Sequence, residues 1–136
     1  MPEPHRLPVR VYYEDTDFSG VVYHASYLRF LERGRTELLR AAGIDQRTLF
    51  AGPEPFGFAV RRMTIDFVKA ARMDDLLAVE TRVGAVRGAS FDMAQRVLRD
   101  GAVLVAADVQ VAAVAAGRPA RLPDPLRALL APEGDR

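Results

Sequence analysis

The chain has 136 residues, 49% of them hydrophobic and 27% charged, with a net charge of +1 and no cysteine. Roughly two-thirds of the unfolded surface can be buried at this size, enough for one hydrophobic core, so a single domain over residues 1–136 is expected. The charge balance leaves no electrostatic footprint for nucleic acid or an anionic membrane, and the lack of cysteine excludes disulfides, thiolate zinc sites and a thiol nucleophile.

The opening residues, MPEPHRLPVR, contain no apolar signal core. Val9, Val11 and Tyr13 then alternate with Arg10, Tyr12 and Glu14, which predicts a half-buried strand running to about Glu14. The alternation breaks at Asp15, Asp17, Ser19 and Gly20, so a loop follows. From about Ala25 the period changes: Leu28, Leu31, Arg35, Leu38 and Ala42 fall at helical spacing, and Gly43 supplies the usual left-handed stop. Arg40 in the last turn suits the negative end of the helix dipole. An irregular stretch is expected from Gln46 to Pro55.

Four strands are predicted after it, read as a meander. Met63, Ile65 and Phe67 alternate, as do Leu77, Val79, Thr81 and Val83; Phe91, Met93 and Val97 follow, then Val103, Val105, Val109 and Val111. Asp74-Asp75, Gly88 and Gly101 mark the joints, with Asp100-Gly101 suited to a type I′ hairpin. Pro123 and Pro125 precede a short helix at Leu126, Leu129 and Leu130. The longest apolar run, VLVAADVQVAAVAAG, is interrupted by Asp108 and Gln110 and is too short to span a bilayer, so no integral membrane association and a cytoplasmic location are expected. The whole reads as an α+β domain, one long helix laid on an antiparallel sheet of about five strands.

Asp17 and His24 flank the predicted helix start. A loop aspartate is ordinarily a turn former, and a lone histidine is ordinarily packed. Here an acid, a glycine-bearing loop and the only interior histidine converge where a helix offers free N–H groups and partial positive charge, which favours a functional reading of both. With His5 and His24 as the only imidazoles, a metal site is not expected.

The run Tyr13, Asp15, Thr16, Asp17, Gly20, Val21, Val22, Tyr23, His24, Tyr27, Glu32 and Arg35 resembles the signature of hot-dog acyl-CoA thioesterases of the 4-hydroxybenzoyl-CoA thioesterase family, most closely its Tol-Pal-associated subfamily. The later strand order and the segment FVKAARMDD extend the resemblance over the chain. Phe18 and Ser19 depart from it where the subfamily often has smaller residues, which bears on the shape of the acyl pocket. The resemblance implies a hot-dog fold, with the sheet wrapped round the long helix. It also implies a homodimer joined sheet edge to sheet edge, often doubled to a homotetramer, with sites between subunits.

It further implies hydrolysis of an acyl-CoA with no cofactor beyond the coenzyme A of the substrate. Asp17 would act as general base or as nucleophile, two routes the residues leave open, while the N–H of His24 polarises the carbonyl. Gly20, Val22, Tyr23 and Tyr27 would line the substrate site, and Lys69, Arg72, Arg87 and Ser90 would hold the CoA phosphates. Glu32 is the competing acid, since some thioesterases of this fold carry their carboxylate on the helix; its spacing to Arg29, Arg35 and Thr36 favours a structural role. Two other classes compete. A hot-dog hydratase or dehydratase would use an acid and a histidine on the same substrates, and a non-catalytic partner protein of the cell-envelope machinery would leave Asp17 dispensable.

Overall fold

The computed structural model describes residues 3–131 of the chain. Its elements are β1 (His5–Arg10), α1 (His24–Ala41), α2 (Gln46–Ala51), β2 (Phe56–Phe67), β3 (Leu76–Val86), β4 (Ser90–Arg99), β5 (Ala102–Ala115), the two-residue β6 (Arg118–Pro119) and α3 (Asp124–Leu130). The strands pair antiparallel in the order β1-β3-β4-β5-β2, with β6 added to β5. This sheet curls round α1, giving the α+β hot-dog arrangement. The meander expected from the sequence holds only for β3, β4 and β5, because β2 crosses to the far side and pairs with β5. Alternation fixes which face of a strand is buried and says nothing about which strand lies beside it.

Alternation does its work on the inner face. Leu77 and Val79, then Phe91, Met93 and Val97, then Val105, Val109 and Val111 turn inward and close on Tyr27, Phe30, Leu31 and Leu39 of α1. Within β5 the register slips opposite Val97/Leu98, so both Leu104 and Val105 are fully buried and the even alternation expected from Val103 breaks there.

The buried stripe of α1 includes the expected Leu31 and Arg35, with Leu38 half-buried against the core, and departs from expectation at Leu28. Ser26, Tyr27, Phe30, Leu31, Gly34, Arg35 and Leu39 face the sheet, while Leu28 is exposed. Gly34 sets how closely this face can approach. A Cβ there would stand 2.7 Å from Cγ1 of Val79 and 2.9 Å from Oγ1 of Thr81, so the missing side chain lets the helix sit directly on β3 and β4. Beside it, Arg35 donates to Oε1 of Gln95 at 3.0 Å, and Nε2 of Gln95 donates to the Leu31 carbonyl and to Oγ1 of Thr81, each at 2.9 Å. Desolvation lowers the Arg35 pKa, and the Glu32 carboxylate partly opposes this.

Boundaries moved in three places. β1 ends at Arg10, and Tyr13–Asp15 is a 3₁₀ turn with Tyr13 exposed, because the chain leaves the sheet to reach α1. The irregular stretch contains α2, whose start is capped by Asp45 accepting the Thr48 N–H. β2 starts at Phe56, well before Met63. Gly43 closes α1 at φ +90°, and Asp100 and Gly101 take φ values of 51° and 82°, as the hairpin turn requires. Arg40 pairs with Glu37 on the preceding turn.

Candidate active site

Asp17 opens a tight turn. The Gly20 N–H donates to the Asp17 carbonyl at 3.2 Å, and Gly20 adopts φ +85°, which a side chain would strain. Inside the turn the N–H and hydroxyl of Ser19 both donate to Oδ1 of Asp17, at 2.8 and 2.6 Å. Oδ2 takes neither of these bonds, and the side chain is exposed. The Ser19 hydroxyl, then its N–H, holds the carboxyl below the ordinary aspartate pKa, with smaller contributions from the Val21 N–H and then His24. At neutral pH Asp17 is an exposed anion with Oδ1 committed to the turn.

The neighbouring acid is spent differently. Asp15 is 9% exposed; its Oδ2 accepts the Tyr12 N–H at 2.8 Å, and its carbonyl accepts the Tyr23 N–H at 2.9 Å and the Ser26 hydroxyl at 3.1 Å. It fastens the loop to the start of α1. On the other side the Asp17 N–H donates to the Val21 carbonyl at 2.9 Å, the Val22 N–H donates to the Ala71 carbonyl at 2.8 Å, and Val21 bridges to Arg72.

α1 begins at His24, after Tyr23 in extended backbone (φ −64°, ψ 134°) with no side-chain cap. The N–H groups of His24 and Ala25 have no partner among the described residues, so the positive end of the helix dipole is open. The exposed His24 ring lies 4.5 Å from that of Tyr23 and meets Phe67 edge-on at 6.2 Å. One turn on, Tyr27 is 3% exposed, and its ring packs against Phe30 at 6.0 Å and Phe67 at 5.8 Å. Its hydroxyl accepts the Ala71 N–H at 2.9 Å. Burial raises the phenol above its ordinary pKa and keeps it neutral.

Asp17, Gly20, Val22, Tyr23, His24, Tyr27 and Arg72 therefore gather round one pinned loop. Lys69 stands nearby, just past β2, where its N–H and that of Val68 share the Leu104 carbonyl. Arg87 and Ser90 lie apart, at the β3–β4 turn, roughly 30 Å of strand from this end of the sheet. There Arg87 holds Asp92 with two bonds of 2.7 and 2.8 Å, and its N–H donates to the Ser90 carbonyl. Within one chain these two do not meet the Asp17 cluster. Glu32 sits further along α1, exposed, beside Arg29, Arg33, Thr36 and Glu37. Two contributors were not singled out from the sequence: Phe67, which reads as an ordinary strand residue, and Ala71, whose part is played by its backbone.

Phe18, Phe67, Val68 and Met73 are exposed on the segments that form this end, leaving an apolar surface close to the carboxylate. An ionised oxygen beside open helix-start donors can activate a nucleophile and stabilise an oxyanion at an acyl carbon. Among the described residues no three His, Cys, Asp or Glu side chains gather as a metal-holding group, and no helix is long and apolar enough to cross a membrane.

Residues 11–130 match the thioesterase-like superfamily. Acyl-CoA thioesterase YbgC of Haemophilus influenzae is 50% identical over 112 residues, spanning 82% of this chain and 82% of the relative. Acyl-CoA thioester hydrolase YbgC of Escherichia coli is 47% identical over 110 residues, or 80% of this chain and 81% of its own length. Among solved structures, a probable thioesterase from Bartonella henselae superposes with a TM-score of 0.85 at 46% identity, covering 88% of this chain and 99% of that one.

Proposed function

The chain belongs to the thioesterase-like superfamily, and on that premise we propose that it hydrolyses acyl-CoA thioesters to a carboxylic acid and coenzyme A, with Asp17 and the start of α1 as the working parts. The observation that carries this reading is the pairing of an exposed, ionised Asp17 on the pinned loop with the His24 N–H at the start of α1, which has no partner among the described residues.

A thioester carbonyl is electrophilic and its thiolate leaves readily, so the protein has little covalent chemistry to supply. Oδ2 of Asp17 either takes a proton from water as that water attacks the carbonyl carbon, or attacks the carbon itself to form an anhydride that water then opens. Both routes need the ionised carboxylate that Ser19 favours. In both, the carbonyl oxygen gains negative charge beside the His24 N–H, the C–S bond breaks, and the thiolate departs to take up a proton. The His24 imidazole orients water or substrate, Tyr23 and the apolar lip face the acyl group, and Lys69 and Arg72 meet the phosphates. No metal or organic cofactor takes part.

The active unit is a homo-oligomer. β1 is six residues long and contains Pro8, which blunts that edge, whereas β2 offers twelve residues without proline and has one neighbour, β5. Twofold pairing of β2 with itself is antiparallel, setting the Phe67 end of one copy against the Phe56 end of the other. At that second end, Arg47, Phe50, Phe56 and Phe58 line a groove of about 530 Å³. Arg87 and Ser90 lie at the same end, so such pairing brings them toward the partner's loop. Light scattering is expected to give about 30 or 60 kDa, twice or four times the 15.0 kDa chain; an active monomer contradicts the arrangement.

The test of the reaction is product analysis with short-chain, long-chain and aromatic acyl-CoAs. Free thiol and free acid are expected, at rates set by the acyl group and unchanged by a chelator. An altered acyl chain still attached to CoA would favour a hydratase or dehydratase; no turnover of any thioester would favour a non-catalytic partner protein of the cell-envelope machinery.

A further inference from the structure

We propose that Tyr27 is a positioning residue, whose hydroxyl fixes the Asp17 loop relative to the start of α1 by acting through Ala71. The proposal rests on the reading of Asp17 and the helix start given above, and goes beyond a lining role for Tyr27.

The connection is short and continuous. Tyr27 lies one turn along α1 from the open N–H groups proposed to polarise the carbonyl. Its hydroxyl holds the N–H of Ala71, a fully buried residue, and the carbonyl of Ala71 holds the Val22 N–H at 2.8 Å. Val21, next in the chain, accepts the Asp17 N–H at 2.9 Å and bridges to Arg72. One side chain thus ties the donor end of the site to the segment that backs the carboxylate, and both polar groups of Ala71 are used in doing so. The ring supports this without making the connection: Phe30 and Phe67 hold it from two sides and would hold a phenylalanine equally well.

Tyr27→Phe keeps the ring and removes the acceptor, leaving the Ala71 N–H buried and unpaired. The loop then relaxes to satisfy that group, and the gap between Asp17 and the His24 N–H changes. Since the loss concerns alignment in the transition state, it falls on kcat and spares KM.

The test is a double-mutant cycle on the full chain, with an acyl-CoA that the wild type hydrolyses. Tyr27→Phe is expected to lower kcat by about tenfold or more with KM within about twofold, and to lower the residual rate of Asp17→Asn by less than about twofold, because the aligned group is already gone. Thr81→Val, which deletes another buried acceptor far from the loop, is the control: it is expected to lower Tm and leave kcat unchanged. Hydrogen exchange at Ala71 is expected to be slow in the wild type and faster in Tyr27→Phe. A rise in KM with kcat unchanged makes Tyr27 a substrate contact and overturns the proposal. Equal losses in both backgrounds overturn it as well, as does rapid Ala71 exchange in the wild type, a measurement that needs no variant to fold. Near-normal turnover by Asp17→Asn alone is a separate outcome, which overturns the reading of Asp17 and this proposal with it.

Discussion

The start and the middle of α1 meet the same sheet on opposite terms. At the middle the buried Arg35, Gln95 and Thr81 side chains and the Leu31 carbonyl bond one another, and Gly34 allows close packing. At the start, the N–H groups of His24 and Ala25 have no partner among the described residues, and Asp17, His24 and Phe18 face solvent. The contrast sets a sealed stretch against the exposed one to which the proposed chemistry is given. Open groups need a fixed backing to be useful, and the sealed middle supplies it.

Substitutions at the two stretches are therefore expected to separate activity from stability. The largest effect on activity is expected from His24→Pro. Proline is accepted at the first position of a helix, and Tyr23 already has the extended backbone that precedes it, so the fold survives while the N–H is lost. Removal of such a donor costs about 10²–10³ in kcat. His24→Ala retains the N–H and serves as the comparison. At the middle, Gly34→Val drives a side chain into Val79 and Thr81 and is expected to cost about 3 kcal/mol in denaturant unfolding, with kcat of the folded protein retained. Catalytic loss from Gly34→Val exceeding that from His24→Pro would erase the distinction between the two stretches.

His24→Ala itself is expected to lower kcat by less than about tenfold, since the backbone donor survives; a loss as deep as that of the proline variant would promote the imidazole to a direct role. Ser19→Ala is the mildest change. It removes the first cause of the lowered Asp17 pKa, so the carboxyl titrates at higher pH and the acid limb of kcat/KM moves upward. Activity is present above that limb and is lost as pH falls through it, and little change is expected at neutral pH. An unmoved limb would mean that a group other than Asp17 sets it.

Much of this was legible in the residues. The loop, the acid, the helix start and the Gly43 and Asp100-Gly101 turns were all readable, because each depends on local backbone demands that particular residues satisfy. The close seating of α1 on the sheet was not, since it depends on Gly34 meeting Val79 and Thr81, residues far away in sequence. The placement of β2 beside β5 escaped for the same reason. Within the site, Asp17 and His24 announce themselves by residue type. Ala71 does not, because what it contributes is an N–H and a carbonyl that every residue but proline possesses.

The central claim is that an ionised Asp17 beside the helix start drives thioester hydrolysis. Free-thiol release from the acyl-CoA that the wild type turns over fastest, measured side by side for wild type and Asp17→Asn at equal concentrations of folded oligomer, tests it most directly. The amide keeps the shape of the turn and loses basicity and nucleophilicity, so thiol release is expected to fall by on the order of 10² or more with mass and secondary structure unchanged. Release by the asparagine variant within about threefold of wild type would contradict the account.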